Sequence, residues 1–345
     1  MSPPPLDLAV IGLGRWGTHL LRNFLALPEA RVTALVDPNC QRLHELCDRF
    51  GLANTVSCYA TWAEAVTHPG LKAAVVATPA STHYPIVKAA LEHGLHVLSE
   101  KPLTLELATS DILCRLAAVQ QRQLVVDHTY LFHSAVQQGR RMTSQLGRPR
   151  YGYAARTSIG PVRPDADVFW DLAIHDISIF NDWLGQQPTA VAAWGQAWLC
   201  PSCSESASGP RDVGWLRLIY GWEDQPQPLE VMVHVSWANP DRQRRLALVG
   251  DRGTLVLDEG HETNPLTLYR GELRPYLLPS VPVSTLAEAI AIDPQEPLRE
   301  MCCHFLHCVT VNQTSTISSG QTAANLVKTL AAVTTAAKTG EMIYL

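Results

Sequence analysis

A lysine at the end of an expected strand is the first residue in this sequence whose position suggests chemistry. Lys101 follows residues 95–99, an apolar run typical of a buried strand, and it lies between Glu100 and Pro102. A lysine that is desolvated there could titrate low enough for acid–base catalysis. Most lysines are solvated surface residues, so the position alone leaves both interpretations open.

A second pair of side chains suited to proton transfer lies in the other half of the chain. Asp171 and His175 are four residues apart, and this spacing puts both side chains on one face of a helix. Histidine is the side chain that ordinarily changes charge near neutral pH. The same spacing also occurs on ordinary helix surfaces, where it has no chemical role.

The nine cysteines give a weaker signal. Cys200 and Cys203 form a single C-x-x-C pair, and a helix would put Cys303 and His307 on one face. A zinc site needs four protein ligands, or three and an open position. We therefore expect no metal and inert, reduced thiols, as is usual in a chain without a secretion signal.

Elements that could position these residues are indicated by alternating strand and helix patterns in the first half. Residues 7–11 form a strand-like run, Gly12-Leu13-Gly14-Arg15-Trp16-Gly17 follows, and a helical pattern leads to a second strand at 31–36. This is the context of a dinucleotide-binding fingerprint. The glycines allow a tight turn, approach of the pyrophosphate and close helix packing, and the helix N-terminus favours negative charge.

The second of these strands ends at an acidic residue. Asp37 lies 20 residues after Gly17, where a carboxylate accepts hydrogen bonds from a ribose diol. Because a carboxylate repels a 2′-phosphate, NAD is favoured over NADP, a preference that Arg42 could soften. Thr78-Pro79 and Glu100-Lys101 follow later strands and reach the same ligand-binding edge. The alternative is a Gly-rich turn without a ligand.

Length and composition bound the number of domains and the class of protein. The 345 residues correspond to two domains of about 150 residues. We expect a lead-in at 1–5, a dinucleotide-binding domain at 6–126 and a substrate-binding and oligomerisation domain at 127–345. The formal charge, 27 − 32 = −5, disfavours a nucleic-acid partner, and no apolar run is long enough to span a membrane. A cytoplasmic location is therefore expected.

Several motifs taken together resemble one family. The Gly-rich turn, Ala77-Thr78-Pro79 with His83, Glu100-Lys101-Pro102, and Asp171 with His175 are similar to the motifs of the Gfo/Idh/MocA oxidoreductases. The stretches 160–179 and 237–253 resemble its nucleotide-sugar 3-dehydrogenase branch. The resemblance spans residues 6–345. It implies a doubly wound parallel Rossmann sheet followed by an α+β domain with an open, mostly antiparallel sheet.

The resemblance also implies roles for the matching residues. Lys101, Asp171 and His175 would meet over the nicotinamide, where either Lys101 or His175 would take the hydroxyl proton and Asp171 would orient one of them. Arg163 is the candidate, with Lys101 and His175, for binding the substrate, ahead of the adjacent Arg244 and Arg245. The cofactor contacts implied are Gly12, Leu13, Gly14, Arg15, Trp16, Gly17, Asp37, Thr78, Pro79, His83, Glu100 and Lys101.

The expected function is therefore an NAD-dependent dehydrogenase that transfers a hydride between nicotinamide and a secondary alcohol of a sugar, nucleotide-linked and oxidised at carbon 3. Two alternatives stay open. One is an oxidoreductase of the same family that acts on a free sugar, an inositol or another small molecule. The other is a regulatory protein that binds the nucleotide without catalysis, since fold alone does not establish activity.

Tryptophan is concentrated in the expected second domain, where seven of the nine lie between positions 170 and 237. An open sheet with that much aromatic surface would be a liability if it were bare. We therefore expect a homodimer or homotetramer formed through this sheet. The strands expected there are 151–159, 189–198, 212–220, 229–236, 244–249 and 254–257, followed by a loop-rich region at 271–294 and helices at 295–311 and 320–338.

Overall fold

The computed structural model describes residues 4–163, 166–199, 210–221, 227–261, 263–271 and 286–345. Its contacts divide the chain into two compact units. The first comprises residues up to Thr129 together with Glu296–Val327, and the second comprises Tyr130–Gln295 together with Lys328–Leu345, so far as these are described. Cys200, Cys203 and Trp222 lie outside the described residues.

The strands and helices are given in chain order. The strands are β1 (Leu6–Ile11), β2 (Ala30–Val36), β3 (Ser57–Tyr59), β4 (Ala73–Val76), β5 (His96–Glu100), β6 (Leu124–Asp127), β7 (Pro149–Ile159), β8 (Ala190–Gln196), β9 (Val213–Tyr220), β10 (Leu229–Ser236), β11 (Ala238–Gly250), β12 (Gly253–Asp258), β13 (Leu266–Arg270), β14 (Leu286–Ala289) and β15 (Ile343–Tyr344). The helices are α1 (Arg15–Leu25), α2 (Cys40–Phe50), α3 (Trp62–Ala65), α4 (His83–Glu92), α5 (Leu107–Val119), α6 (Ser134–Met142), α7 (Ile174–Leu184), α8 (Pro297–Val311) and α9 (Gly320–Thr339), with a π-helical turn at Phe169–Ala173.

A parallel sheet forms the centre of the first unit. Within the described residues it has six strands in the order β3-β2-β1-β4-β5-β6, which is the doubly wound dinucleotide-binding order. Strand β4, Ala-Ala-Val-Val, is wholly buried, as expected where helices cover both faces of a parallel sheet. Because all six strands run the same way, their carboxyl ends meet at one edge.

The late helix α8 groups with this first unit, whereas the sequence analysis assigned it to the second domain. The ring of Phe305 on α8 meets that of Phe24 on α1 edge to face, at 6.4 Å between centroids. Beyond α8, the N–H of Val126 donates to the Ser318 carbonyl at 3.1 Å, and the Ser318 hydroxyl donates to the Val126 carbonyl. These partners are far apart in sequence, so no local pattern indicates them. That the chain folds as two domains with a boundary at residues 126/127 stays a prediction.

A second sheet forms the centre of the second unit. Within the described residues its order is β14-β13-β12-β11-β7-β10-β9-β8-β15, and every neighbouring pair is antiparallel except β7 and β10. Helices α6 and α7 pack together where the Trp183 indole donates to the Val136 carbonyl at 2.9 Å. A Cβ at Gly139 would lie 2.3 Å from the Trp183 ring, so α6 needs glycine there. The expected fold class is confirmed.

Strand β14 of the second unit was not predicted from the sequence. It lies within the region 271–294, which was expected to be loop-rich and is described only in part, and Leu286–Ala289 pairs there with β13. The sequence Leu-Ala-Glu-Ala has no alternation of apolar and polar residues, and all four residues are exposed. The unpaired backbone N–H and C=O groups along the edge of β13 induce this strand by pairing with it. The signal for the strand therefore lies in the sheet and not in the segment itself.

No helix among the described residues is long and apolar enough to cross a membrane.

Candidate active site

The turn between β1 and α1 brings backbone segments unusually close. Gly12 has a φ of +88°, and a Cβ there would lie 2.6 Å from the Ala77 carbonyl oxygen. A Cβ at Gly17 would lie 1.8 Å from the Gly12 carbonyl oxygen, so neither position accepts a side chain. A Cβ at Gly14 would meet no atom within 4 Å, which leaves open space at the N-terminus of α1. This cradle of N–H groups fits a pyrophosphate.

The side chains within the turn divide between core and surface. Leu13 is buried, so its side chain packs into the first unit and only its backbone is available to a ligand. Trp16 is about half exposed, and the Arg15 guanidinium lies 5.8 Å from its ring centroid. Arg15 and Trp16 therefore form the solvent side of the turn.

Asp37 ties this turn to the end of β2. Its Oδ2 accepts the N–H of Leu13 at 2.9 Å, and its Oδ1 accepts the N–H of Asn39 at 2.9 Å. The Nη1 of Arg42 lies 3.2 Å from Oδ2, with the Asp37 side chain 4% exposed and that of Arg42 44% exposed. A carboxylate has about four acceptor positions. A ribose diol could therefore replace the contact with Arg42 while both backbone contacts remain.

His83 links two of the loops that follow the strands. Its Nε2 lies 2.9 Å from the Thr78 carbonyl oxygen, and its Nδ1 lies 2.8 Å from the Pro102 carbonyl oxygen. The Thr82 hydroxyl donates to that of Thr78 at 2.8 Å. The side chain of His83 is buried, so it holds the Thr78-Pro79 loop against the Lys101-Pro102 loop at the carboxyl edge of the sheet.

Two buried carboxyls lie beside Lys101, which directly follows β5. Glu100 ends β5, and its Oε2 accepts the N–H of Lys101 at 3.3 Å. Burial and the charge of Asp127 raise the pKa of Glu100 well above its usual range, against the opposing effect of Lys101. Burial also raises the pKa of Asp127 to about 6. Sequence reasoning missed Asp127, although its position at the end of the strand beside β5 was an available signal.

In the second unit, Asp171 lies in the π-helical turn and His175 lies in α7, which follows directly. Asp171 Oδ1 accepts from Arg163 Nη1 at 3.2 Å, and Asp171 Oδ2 accepts from the Trp237 indole at 3.3 Å. A π-helical turn is an irregularity often found at functional sites. Arg163, the expected substrate ligand, is thus held in an ion pair with Asp171.

A buried cation, Arg156, also stabilises helix α7. The ring of Tyr130 lies 4.7 Å from that of His175, and the Arg156 guanidinium lies 4.3 Å from the Tyr130 centroid. Arg156 donates to both carboxylate oxygens of Asp176 at 2.8–3.1 Å. Although burial alone would lower it, the pKa of Arg156 is raised by the Asp176 carboxylate. Sequence reasoning missed Arg156, because a charge in the middle of β7 gives no sign of a buried partner.

Three other polar side chains, those of His128, Arg244 and Arg245, make contacts within the protein. Burial lowers the pKa of His128 to about 3, and its Nδ1 bonds the Ser318 hydroxyl at 2.7 Å. Arg245 pairs with Asp258 at 3.1 Å on the second sheet, and Arg244 donates to the Gln243 carbonyl. Among the described residues, no group of three or more His, Cys, Asp or Glu side chains could hold a metal ion.

The structure thus places the predicted catalytic residues in both units. Lys101 lies at the carboxyl edge of the first sheet, and Asp171, His175 and Arg163 lie in the second unit. Asp171 and Arg163 are in direct contact. That Lys101 acts together with Asp171 and His175 stays a prediction.

We expect Asp176→Asn to lower the free energy of unfolding by about 3–5 kcal/mol, because it leaves the buried Arg156 charge with only Glu259, 3.9 Å from Nη2, as a counter-charge. Urea unfolding measures this change. The control is Asp182→Asn, also on α7, which breaks the ion pair with Arg140 on α6. The Arg140 side chain is 57% exposed, so solvent screens its charge and this variant should cost less than Asp176→Asn. Equal costs for the two variants would contradict a stabilising role of the buried pair.

Comparison with known proteins agrees with the geometry of the first unit. Residues 6–128 match the family model described as oxidoreductase family, NAD-binding Rossmann fold. The chain is 31% identical over 191 residues to UDP-N-acetylglucosamine 3-dehydrogenase of Acidithiobacillus ferrooxidans, covering 54% of this chain and 57% of that protein. It is 27% identical over 202 residues to scyllo-inositol 2-dehydrogenase (NAD(+)) of Bacillus subtilis, covering 54% and 56%. The aligned part therefore spans little more than half the length of these two relatives.

The likeness of fold extends further than these alignments. The solved structure of the Acidithiobacillus ferrooxidans enzyme superposes with a TM-score of 0.80 at 22% identity, covering 96% of this chain and 97% of that one. The Gly-rich cradle and Asp37 supply the features that a bound NAD requires of the first unit. Residues 6–128 therefore form an NAD-binding Rossmann domain of the oxidoreductase family that the model describes.

Proposed function

We propose that this protein is an NAD-dependent dehydrogenase that oxidises a secondary alcohol of a sugar, nucleotide-linked and reacting at carbon 3. The position of Lys101 at the carboxyl end of β5 carries the proposal, because this edge is where a doubly wound sheet binds its ligands. The names of the relatives support the reaction class, since both are dehydrogenases of sugar or polyol hydroxyls.

In the proposed reaction, some residues transfer the proton and others hold those residues in position. NAD+, when bound, accepts the hydride from the carbon of the alcohol. His175 or Lys101 removes the hydroxyl proton, and the partner that stays protonated stabilises the developing negative charge on the oxygen. Asp171 is held by Arg163 and Trp237, so its carboxylate has a defined place from which to orient the proton acceptor. In the reverse direction the same groups return the proton to a ketone.

The substrate class has two candidates. A nucleotide-linked sugar is supported by the relative at 31% identity, and an inositol or free sugar is supported by the relative at 27% identity. A diphosphate or uronate needs a cation, and Arg163 would supply it only by sharing its charge with Asp171. A regulatory protein without catalysis remains the alternative from a different class, and a cytoplasmic location remains a prediction.

A homodimer or homotetramer is the proposed assembly, formed by the aromatic face of the second sheet. This face consists of the solvent-facing side chains of Tyr151, Tyr153, Trp194, Trp215, Met232 and His234, which lie on neighbouring strands β7 to β10. Trp215 stacks on His234 at 4.3 Å and contacts Trp194 at 5.1 Å between ring centroids. The other side of these strands is buried, whereas this aromatic face is exposed. Exposed aromatic area of this extent supports a second copy of the chain that covers the face.

The proposed reaction is tested first by removing its proton-transfer groups. We expect Lys101→Ala and His175→Ala each to lower kcat/KM by about 10²- to 10⁴-fold, because each removes a group that moves or stabilises a proton in the transition state. The assay follows NADH formation with UDP-N-acetylglucosamine and, separately, myo-inositol. Lys72→Ala, at an exposed position of the first unit, is the control. Turnover at the wild-type rate in both catalytic variants would refute the mechanism.

Cofactor choice provides a second test. We expect Asp37→Ala to weaken NAD binding by about 10- to 100-fold, because it removes a charged acceptor for the ribose diol and frees the Leu13 N–H. Titration of the tryptophan fluorescence with NAD and NADP measures both affinities. Arg42→Ala keeps Asp37 and is the matched control, with NAD affinity close to that of the wild type. Tighter binding of NADP than of NAD by the wild-type protein would contradict the proposal.

The assembly is tested by sedimentation velocity at micromolar concentration. We expect a dimer or tetramer for the wild type and a monomer for Trp215→Glu, because the new carboxylate would be desolvated in the covered face. Val119→Glu, at a highly exposed position on α5 in the first unit, is the control and should leave the assembly intact. A monomeric wild type would refute the proposed assembly.

A further inference from the structure

Two carboxyl groups at the carboxyl edge of the first sheet are held side by side by the strand register. Glu100 is the last residue of β5, Asp127 is the last residue of β6, and the two residues are paired in the parallel ladder. Paired residues on neighbouring strands project to the same face of a sheet. Glu100 is 9% exposed and Asp127 2% exposed, so both carboxyls are withdrawn from water.

One oxygen of each carboxyl has a donor, and the other does not. Glu100 Oε2 accepts the Lys101 N–H, and Asp127 Oδ1 accepts the Thr129 hydroxyl. Glu100 Oε1 and Asp127 Oδ2 are buried and have no hydrogen-bond partner among the described residues. Two ionised carboxylates only accept hydrogen bonds and repel each other. A single proton between the carboxyls would satisfy both oxygens.

The groups that surround the pair come from several elements. Burial keeps the pKa of His128 low, and burial raises the pKa of the Cys302 thiol on α8 well above its usual range, so both are neutral at pH 7. The Lys101 ammonium lowers the pKa of both carboxyls, and the Asp127 charge raises that of Glu100. A proton on Glu100, donated to Asp127, is therefore the arrangement that these charges favour.

We propose that Glu100 and Asp127 share one proton at neutral pH and that Asp127 carries the single negative charge of the pair, which positions the Lys101 ammonium. Asp127 is thus a positioning residue for the reaction. This role rests on the proposed function in which Lys101 acts on the substrate hydroxyl. The shared proton itself is a property of the folded chain and does not depend on any substrate.

The shared proton is tested by infrared spectroscopy of the protein at pH 7, without substrate or cofactor. We expect an absorption band of a protonated carboxyl that is lost in Glu100→Gln, since the introduced amide donates to Asp127 in place of the acid. Asp48→Asn, at an exposed carboxylate on α2, is the control and should keep the band. A band that persists unchanged in Glu100→Gln would overturn the shared proton.

The position of the charge is tested by the rate at which an amine-reactive reagent labels Lys101 at pH 8, measured by mass spectrometry. Only the neutral amine reacts, so loss of a nearby negative charge accelerates labelling. We expect about a tenfold increase in Asp127→Asn, because burial keeps Glu100 protonated there and the pair becomes neutral. Glu100→Gln should keep the wild-type rate, since it preserves the charge of Asp127. Exposed Lys72 is the internal reference in every sample.

Two labelling results would overturn the assignment of the charge to Asp127: an unchanged rate in Asp127→Asn, or an equal increase in both variants. In turnover, Asp127→Asn should lower kcat about tenfold with little change in the KM for NAD+. An unchanged kcat would overturn the positioning role. If the wild type oxidises none of the sugars or polyols, the proposed function fails, while the infrared and labelling results still decide whether the pair exists and where its charge lies.

Discussion

The close approach of the Gly-rich turn to the end of β4 is the constraint on which the first unit depends. Gly12 lies against the Ala77 carbonyl and Gly17 lies against Gly12, so a side chain at either glycine would push α1 away from the sheet. Because α1 is held there, its N-terminal N–H groups lie at the edge of the sheet at which the strands end. Asp37 adds a second restraint by accepting the N–H of Leu13. The anion-binding end of the helix is therefore positioned by backbone packing rather than by side-chain chemistry.

Each unit contains a pair of buried ionisable groups, and the two pairs differ in kind. In the second unit, Arg156 makes three hydrogen bonds to the oppositely charged Asp176, and its guanidinium lies against the ring of Tyr130, which in turn contacts His175. In the first unit, Glu100 and Asp127 are two neighbouring acids, and each has a buried oxygen without a hydrogen-bond partner among the described residues. A buried pair of opposite charges is a firm support, because removing one partner leaves the other charge buried and poorly compensated. An open pair of acids retains a titratable proton, which is the feature expected beside a group that takes part in proton transfer.

Much of the site was predictable because its signals are local. The Gly-rich turn, the acid after β2 and the lysine after β5 are recognisable from short stretches, since each depends on an apolar strand followed by a specific residue type. Asp127 and Arg156 were missed for a common reason. Each depends on a partner on another element, Glu100 across a strand pair and Asp176 on α7. The end of a strand was a signal for the position of Asp127, but neither residue gives a local sign of its partner.

The sequence by itself determined the fold class, the dinucleotide-binding fingerprint and most of the strands, because apolar periodicity and glycine spacing follow from local backbone geometry. Tertiary structure alone decided that α8 returns to the first unit, where Phe305 meets Phe24, and that the exposed segment Leu286–Ala289 becomes a strand. It also decided which charges are buried and which are paired. These features depend on contacts between residues that are distant along the chain, and a contact of that kind leaves no pattern in either of the segments that make it.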